Sequence, residues 1–317
     1  MTATQPVPRL HGVTRLTHLG VIRATGADAA AFLQGQLTQD VAQLDLAHAK
    51  LAAFCNPKGR MQASFLVFKR APDDILLVCS QDLLATTLKR LSMFVMRAKA
   101  KLSDASADFA LFGMAGNAIE LIATKPYGTC GKTDFGEVHM VFLPPGAGND
   151  RALWCAPVNT PSPAGDALEL NAWHWLEVQS GIAPVTAAIF EAFVPQMLNY
   201  ESVGGVSFKK GCYPGQEIVA RSQFRGSLKR RAYLVHADVE LTVAQEVFSA
   251  TDPDQPCGLI AAGAPHPTGG FDAIVSMQTA AAVDALAHSH VARLTLGSAS
   301  GAALQLLALP YPLLEDI

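Results

Sequence analysis

The chain has 317 residues, half of them hydrophobic, a formal net charge of −3 and six cysteines. That length suits two or three domains at about 100–200 residues each, with enough apolar residues to bury a sizeable core. No window supplies the roughly 18 consecutive apolar residues of a membrane-spanning helix, and Met1 to Gly12 shows no apolar run behind a basic start. A soluble, cytoplasmic protein without a membrane partner is therefore expected. The cysteines stand at 55, 79, 130, 155, 212 and 257, the closest pair 24 apart (79 − 55), which excludes a local CxxC-type framework. Five of the six are expected to be packing residues. The nine histidines show no HExxH or similar spacing, so no metal site is expected.

In chain order, partial alternation predicts a strand at Leu16–Ala24, ended by Gly26-Ala27-Asp28, with Asp28 as N-cap of a helix over Ala29–Leu37. Two apolar runs, Lys50–Cys55 and Met61–Phe68, flank Asn56-Pro57-Lys58-Gly59, whose Pro and Gly make it a hairpin turn. Asp73-Asp74 turns into a strand at Ile75–Cys79, and Gln81–Met96 reads as an amphipathic helix. This order is α+β and departs from regular βαβ alternation. Between about 106 and 170 the pattern weakens. A helix is then expected from Asp166, as its cap, to Ser180, stopped by Gly181 and carrying Trp173 and Trp175. Past Arg231 come short β-like runs: Ala232–Ala237, Gln245–Ser249, Gly258–Ala262, Ala273–Met277, His290–Leu296 and Ala303–Leu309. Turn clusters such as Asp252-Pro253-Asp254 and Pro267-Thr268-Gly269-Gly270 separate them, as in a small barrel or sandwich. A domain boundary is placed near 230.

From Lys209 to Arg231 there are seven basic residues and one acid, Glu217, so this segment carries +6 and leaves −9 elsewhere. Such a stripe suits an anionic ligand; it equally suits a solvated hairpin with snorkelling lysines. Overlapping its start, Gly204 to Arg221 is the most unusual stretch, with glycines at 204, 205, 211 and 215 and Pro214 allowing sharp turns and close approach. Cys212 sits in this turn after Lys209 and Lys210, whose charges favour a thiolate, and a helix starting near Ile218 would act in the same direction. Cys212 is thus the best nucleophile or redox candidate. Lys210 is its neighbouring cation, and Glu217 either pairs with a motif lysine or carries a proton. Arg221 and Arg225 share a face if the stretch is helical.

The octapeptide Lys210-Gly211-Cys212-Tyr213-Pro214-Gly215-Gln216-Glu217 matches the KGCYxGQE motif of the YgfZ family. The run on to Phe224-Arg225-Gly226, Gly26-Ala27-Asp28 with Phe32 to Thr38, and Leu309-Pro310-Tyr311 also resemble the family pattern. The resemblance implies a three-part fold like that of the glycine-cleavage T-protein. Two interleaved α/β parts would surround a central channel for a folate within residues 1–230, the inner part covering about 49–107. A C-terminal β-barrel would occupy 231–317. It also implies support of iron–sulfur cluster assembly or repair and of cluster-dependent tRNA modification, with the motif cysteine important. Iron–sulfur enzymes or assembly proteins would be the clients, and strong direct tRNA binding is not expected. Trp173, eight residues before Gly181, has the spacing of the family's folate-contacting tryptophan. Gln179, Tyr213, Gln216, Arg221 and Arg225 join it as expected contacts for tetrahydrofolate. Leu19 replaces a second folate-facing tryptophan, Gln179 a pterin-contacting Glu of T-proteins, and Ala63-Ser64 the acidic residues those enzymes carry. The alternative function is a folate-dependent aminomethyl transferase, against which the missing carboxylates count.

Overall fold

The protein is described from a computed structural model that covers residues 8–122, 130–224, 228–288 and 290–314. Strand β1 (Gly12–Arg15) leads to β2 (Leu19–Thr25) and the short helix α1 (Ala29–Gln34). Strands β3 (Ala49–Cys55), β4 (Met61–Ala71) and β5 (Asp74–Ser80) follow, then helix α2 (Gln81–Ser92) and β6 (Lys101–Asp104). Next come β7 (Phe109–Ala115), the one-turn α3 (Asn117–Glu120), β8 (Lys132–Phe135), β9 (Val138–Gly146) and β10 (Asn149–Pro157). Helices α4 (Leu170–Gln179) and α5 (Gln216–Phe224) precede β11 (Arg230–Ala237), β12 (Glu246–Ser249), β13 (Asp252–Pro265) and β14 (Phe271–Gln278). Helix α6 (Thr279–Ala287), β15 (Leu294–Leu296) and β16 (Ala303–Leu307) end the described elements.

These strands build two five-stranded sheets, in the orders β1-β7-β10-β9-β8 and β3-β4-β5-β2-β6, and a closed barrel, β11-β14-β13-β12-β15-β16. The chain starts in the first sheet, builds the whole second sheet, and returns at β7. The two α/β parts are therefore interleaved. The inner part begins at β2, which pairs with β5 and β6, ahead of the start near residue 49 that the resemblance implied. Both faces of the second sheet are covered, which is why β5 reads as an unbroken apolar run. Ile75, Leu77 and Cys79 join the core that also holds α1 and α2 residues, while Leu76 and Val78 join the central core with Leu111, Leu153 and Trp173.

Several boundaries differ from the sequence expectation, each for a local reason. Asp166 does not cap α4: its carbonyl accepts the Val13 N–H at 2.8 Å and Leu168 N–H donates to Val13, so this segment bridges to β1 and the helix starts at Leu170. Asp28 stands before α1, but its carboxylate accepts the Lys99 N–H instead of a helix N–H. Helix α1 ends at Gln34, and Leu37 bridges to Phe54. Helix α2 stops at Ser92. The weak region from 106 to 170 supplies four strands of the first sheet. Asp252-Pro253-Asp254, expected as a turn, opens β13, and Ser249 pairs with Asp252.

Polar side chains fasten the barrel to the rest. Asp272 on β14 is buried and its Oδ2 accepts hydrogen bonds from Trp175 Nε1 and Gln179 Nε2, both at 2.7 Å. Arg231 Nη1 donates to Glu201 Oε1 at 2.7 Å in a buried ion pair, and Arg231 Nη2 donates to the Leu314 carbonyl at 2.6 Å. Burial pushes the Glu201 carboxyl pKa up while Arg231 pulls it down; the balance is upward. Removing one member of such a pair strands the other charge in the core. Arg231→Met is expected to destabilise the protein by about 3–5 kcal/mol in chemical denaturation, and Arg231→Met/Glu201→Leu to recover most of that loss. A single variant as stable as the parent would show that the pair contributes nothing.

Candidate functional site

A cleft of about 780 Å³, open mouth included, lies between the two sheets. It is lined largely by apolar side chains, among them Leu19, Phe65, Leu66, Val78 and Leu153, with helix α4 along one wall. Helical spacing sorts the residues of α4. Trp173 and Glu177 turn to the cleft, followed by Ser180, whereas Trp175 and Gln179 turn to Asp272 on the barrel. Gln179, expected at the folate, is thus committed elsewhere, and the carboxylate on the cleft is Glu177.

Trp173 is fully buried. Its ring lies against Gly113 of β7, where an added Cβ would fall 2.6 Å from ring atoms. The Arg151 guanidinium sits 5.4 Å from the centre of the same ring. Arg151 is itself buried, and its Nε donates to the Pro144 carbonyl at 3.0 Å. Burial depresses its pKa to about 10, against the support of the Glu177 charge. For Glu177, burial pushes the pKa up, but the hydrogen bond with His174 and the nearby His174 and His18 rings outweigh it and hold the carboxyl at about 2. Ser64 Oγ accepts the Val185 N–H at 2.8 Å, so position 64 offers a hydroxyl where an acid would carry protons. A second chamber shares Leu19, Ser80, Glu177 and Pro184 with the cleft and extends past His18 and His174 to Ala261, Ala262 and Gly263 of the barrel. Arg151, His18 and His174 went unnoticed in the sequence because their neighbours are distant in the chain. Glu177 was readable only as one helical turn beyond Trp173.

The glycine-rich motif lies outside this cleft: among the described residues, none from 204 to 221 lines it. Gly215, at φ +81°, packs backbone to backbone on the β3–β4 turn, where a Cβ would meet the Asn56 carbonyl oxygen at 2.4 Å and Gly59 at 2.7 Å. Lys210 does not present its charge on the surface. Its buried Nζ donates to the carbonyls of Gln34 and Leu37 and lies 4.7 Å from the Tyr213 ring centre. Burial lowers its pKa to about 8. Burial also raises the pKa of the Tyr213 hydroxyl. Gln216 opens α5, and Glu217 and Arg221 are exposed on it. Among the described residues Glu217 forms no ion pair, so of its two expected roles the pairing with a motif lysine is not made. Arg225 lies outside the described residues. The basic stripe is accordingly divided: Lys210 and Arg231 are structural, while Lys209, Arg221 and Lys229 are exposed.

Cys212 is exposed on this anchored loop, whereas Cys55, Cys79, Cys155 and Cys257 are buried and Cys130 is half-buried. Burial pushes the thiols of Cys55, Cys79 and Cys155 up to about 12 and those of Cys130 and Cys257 to about 11. Alkylation at neutral pH, followed by peptide mass spectrometry, is expected to label Cys212 at least tenfold faster than any other cysteine. Equal rates across all six would show that the loop gives Cys212 no privileged access.

The GCVT N-terminal domain family matches residues 5–138. An uncharacterized protein of Haemophilus influenzae is 31% identical over 241 residues, covering 73% of this chain and 76% of its own. The tRNA-modifying protein YgfZ of Klebsiella pneumoniae is 33% identical, over 65% of this chain and 65% of its own. That of Hamiltonella defensa is 30% identical, over 70% and 68%. The match thus spans about two thirds of the length of these YgfZ proteins. Among solved structures, the glycine cleavage system aminomethyltransferase T of Bartonella henselae superposes with a TM-score of 0.65 at 13% identity, over 96% of this chain and 87% of that one. The likeness shows an α+β fold of the T-protein type. With a family domain at its start, YgfZ relatives along most of its length and this fold throughout, the chain belongs to the YgfZ family.

Proposed function

We propose that the cleft between the sheets binds tetrahydrofolate and that the protein acts in tRNA modification, supporting iron–sulfur enzymes through Cys212. The observation that carries the folate reading is the grouping of Trp173, Arg151 and Glu177 on a largely apolar cleft. A pterin is flat and apolar on its faces and polar around its edge. Such a ligand needs an aromatic and aliphatic wall together with a few fixed polar groups. Glu177, ionised, would accept hydrogen bonds from the pterin amino edge, and the Arg151 guanidinium would donate to a carbonyl or carboxylate. The indole N–H of Trp173 supports the fit, since it is buried without a hydrogen-bond partner among the described residues. When bound, tetrahydrofolate supplies nitrogens that carry one-carbon units. The protein's own part is to hold and orient it and to exclude water.

Aminomethyl transfer is disfavoured by the chemistry of the same cleft. Glu177 is the carboxylate among its described lining residues, and two histidines hold it ionised, a poor proton donor at neutral pH. Cys212 sits on the surface, where its thiol meets another macromolecule more readily than a ligand in the cleft. The role in tRNA modification and the link to iron–sulfur clients rest on family membership and on this accessible thiol.

Tetrahydrofolate is expected to quench tryptophan fluorescence, with Arg151→Gln and Trp173→Phe each weakening binding at least about tenfold, a loss of about 1.4 kcal/mol. Unchanged affinity in both variants would remove the cleft as the folate site. In a bacterium lacking its own family member, the wild-type gene should restore a cluster-dependent tRNA modification and Cys212→Ser should not. Failure of folded wild-type protein would return one-carbon transfer to the lead.

A further inference from the structure

Where α4 faces the turn between β1 and β2, three side chains converge that no local sequence spacing announces. Glu177 Oε2 lies 2.9 Å from His174 Nδ1 and 3.6 Å from His18 Nε2. One ligand atom from each of the three residues falls within 4.8 Å of the other two. The imidazole rings meet edge to face, with centres 4.4 Å apart and planes at 63°. The frame is fixed: His174 and Glu177 are one turn apart on a helix, and the His18 carbonyl accepts the Gln81 N–H at 2.9 Å.

The unsolved feature is His18. Neither of its ring nitrogens has a hydrogen-bond partner among the described residues, and both atoms are shut off from solvent. Each buried polar atom left unpaired costs about 1–3 kcal/mol, so a ring with two of them needs an explanation. At 3.6 Å the Glu177 oxygen is too far for a hydrogen bond. It is close to the spacing of two donors on one ion, about 3–3.5 Å apart when each lies about 2.0–2.2 Å from the metal.

We propose that His18, His174 and Glu177 form a site for a divalent first-row transition ion such as zinc or iron(II), with coordination positions open toward the second chamber. Two imidazoles and one carboxylate suit these ions and not magnesium or calcium, which take oxygen ligands. A closed structural site would need a fourth protein donor. Here the other side is a chamber lined by Ser80, Gln81, Thr186 and Val243, the layout of a site that keeps a place for water or a substrate. Asp82 also lines the chamber, but its Oδ1 accepts from Ser80 Oγ and its Oδ2 from the Ala187 N–H. Because Glu177 also lines the cleft, an ion held there would face a ligand in either space. The proposal does not depend on that ligand being a folate.

The test is titration of the metal-free, full-length protein with Co²⁺, followed by visible absorption, then displacement with Zn²⁺. One equivalent is expected to give d–d bands without a thiolate charge-transfer band. His18→Ala and His174→Ala should each weaken binding at least about 100-fold, while His48→Ala should leave it unchanged. Absence of saturable binding, a thiolate band, or unchanged affinity in both variants would overturn the proposal. Should the variants unfold, the wild-type protein decides: bound Co²⁺ must shift the ring-proton resonances of two of the nine histidines far more than the others. Equal shifts would refute the site.

Discussion

Asp272 is almost wholly buried on β14, where its Oδ2 takes hydrogen bonds from Trp175 and Gln179 of α4 and its Oδ1 lies 2.7 Å from His236 Nδ1 of β11. A carboxylate in such a place is tolerable only if its oxygens are occupied, so it selects one rotation of α4 about its axis. With Trp175 and Gln179 fixed toward the barrel, the 3.6-residue period leaves Trp173 and Glu177 with a single direction, into the cleft. The barrel, which contributes little to the lining of the cleft between the sheets, thereby determines what that cleft presents.

A second constraint works at the opposite end of the chain's chemistry. The turn at Asn56 to Gly59 is held internally, with Asn56 Oδ1 accepting the N–H groups of Lys58 and Arg60 at 2.9 and 3.0 Å. Gly215 and Ile218 rest on that turn, and Lys210 reaches the chain that follows α1. The loop bearing Cys212 is thus moored on both sides while its thiol remains exposed. Glycine at 215 and lysine at 210 are explained by this mooring, without requiring either to touch a reacting group.

Much of the architecture was legible because its signals are local. The hairpin around Asn56-Pro57-Lys58-Gly59, the stop at Gly181 and the short strands beyond 230 each depend on a few adjacent residues. Helix α6 was missed because its alanine-rich run shows little polar alternation, and the start of β13 because Asp-Pro-Asp carries turn chemistry that barrel pairing overrides. At the site, the motif exposed Cys212, yet Arg151 and His18 acquire meaning only through contacts across the fold. Spacing from Gly181 says nothing about which side of the helix faces the barrel, where Gln179 meets Asp272. The basic stripe left two readings open for the same reason, since sequence sums charge and does not register that Lys210 and Arg231 are buried.

Gly113 gives the cleft its depth. The Trp173 ring occupies the volume that a side chain on β7 would fill, so the indole is recessed by about the thickness of a methyl group. Any larger residue at 113 would advance the ring into the cavity and shrink the room for a guest without altering one polar group on its walls. The depth of the cleft is therefore set by a strand residue that is absent from its lining, and a larger residue at this one position would make the cleft shallower while the polar groups on its walls stayed the same.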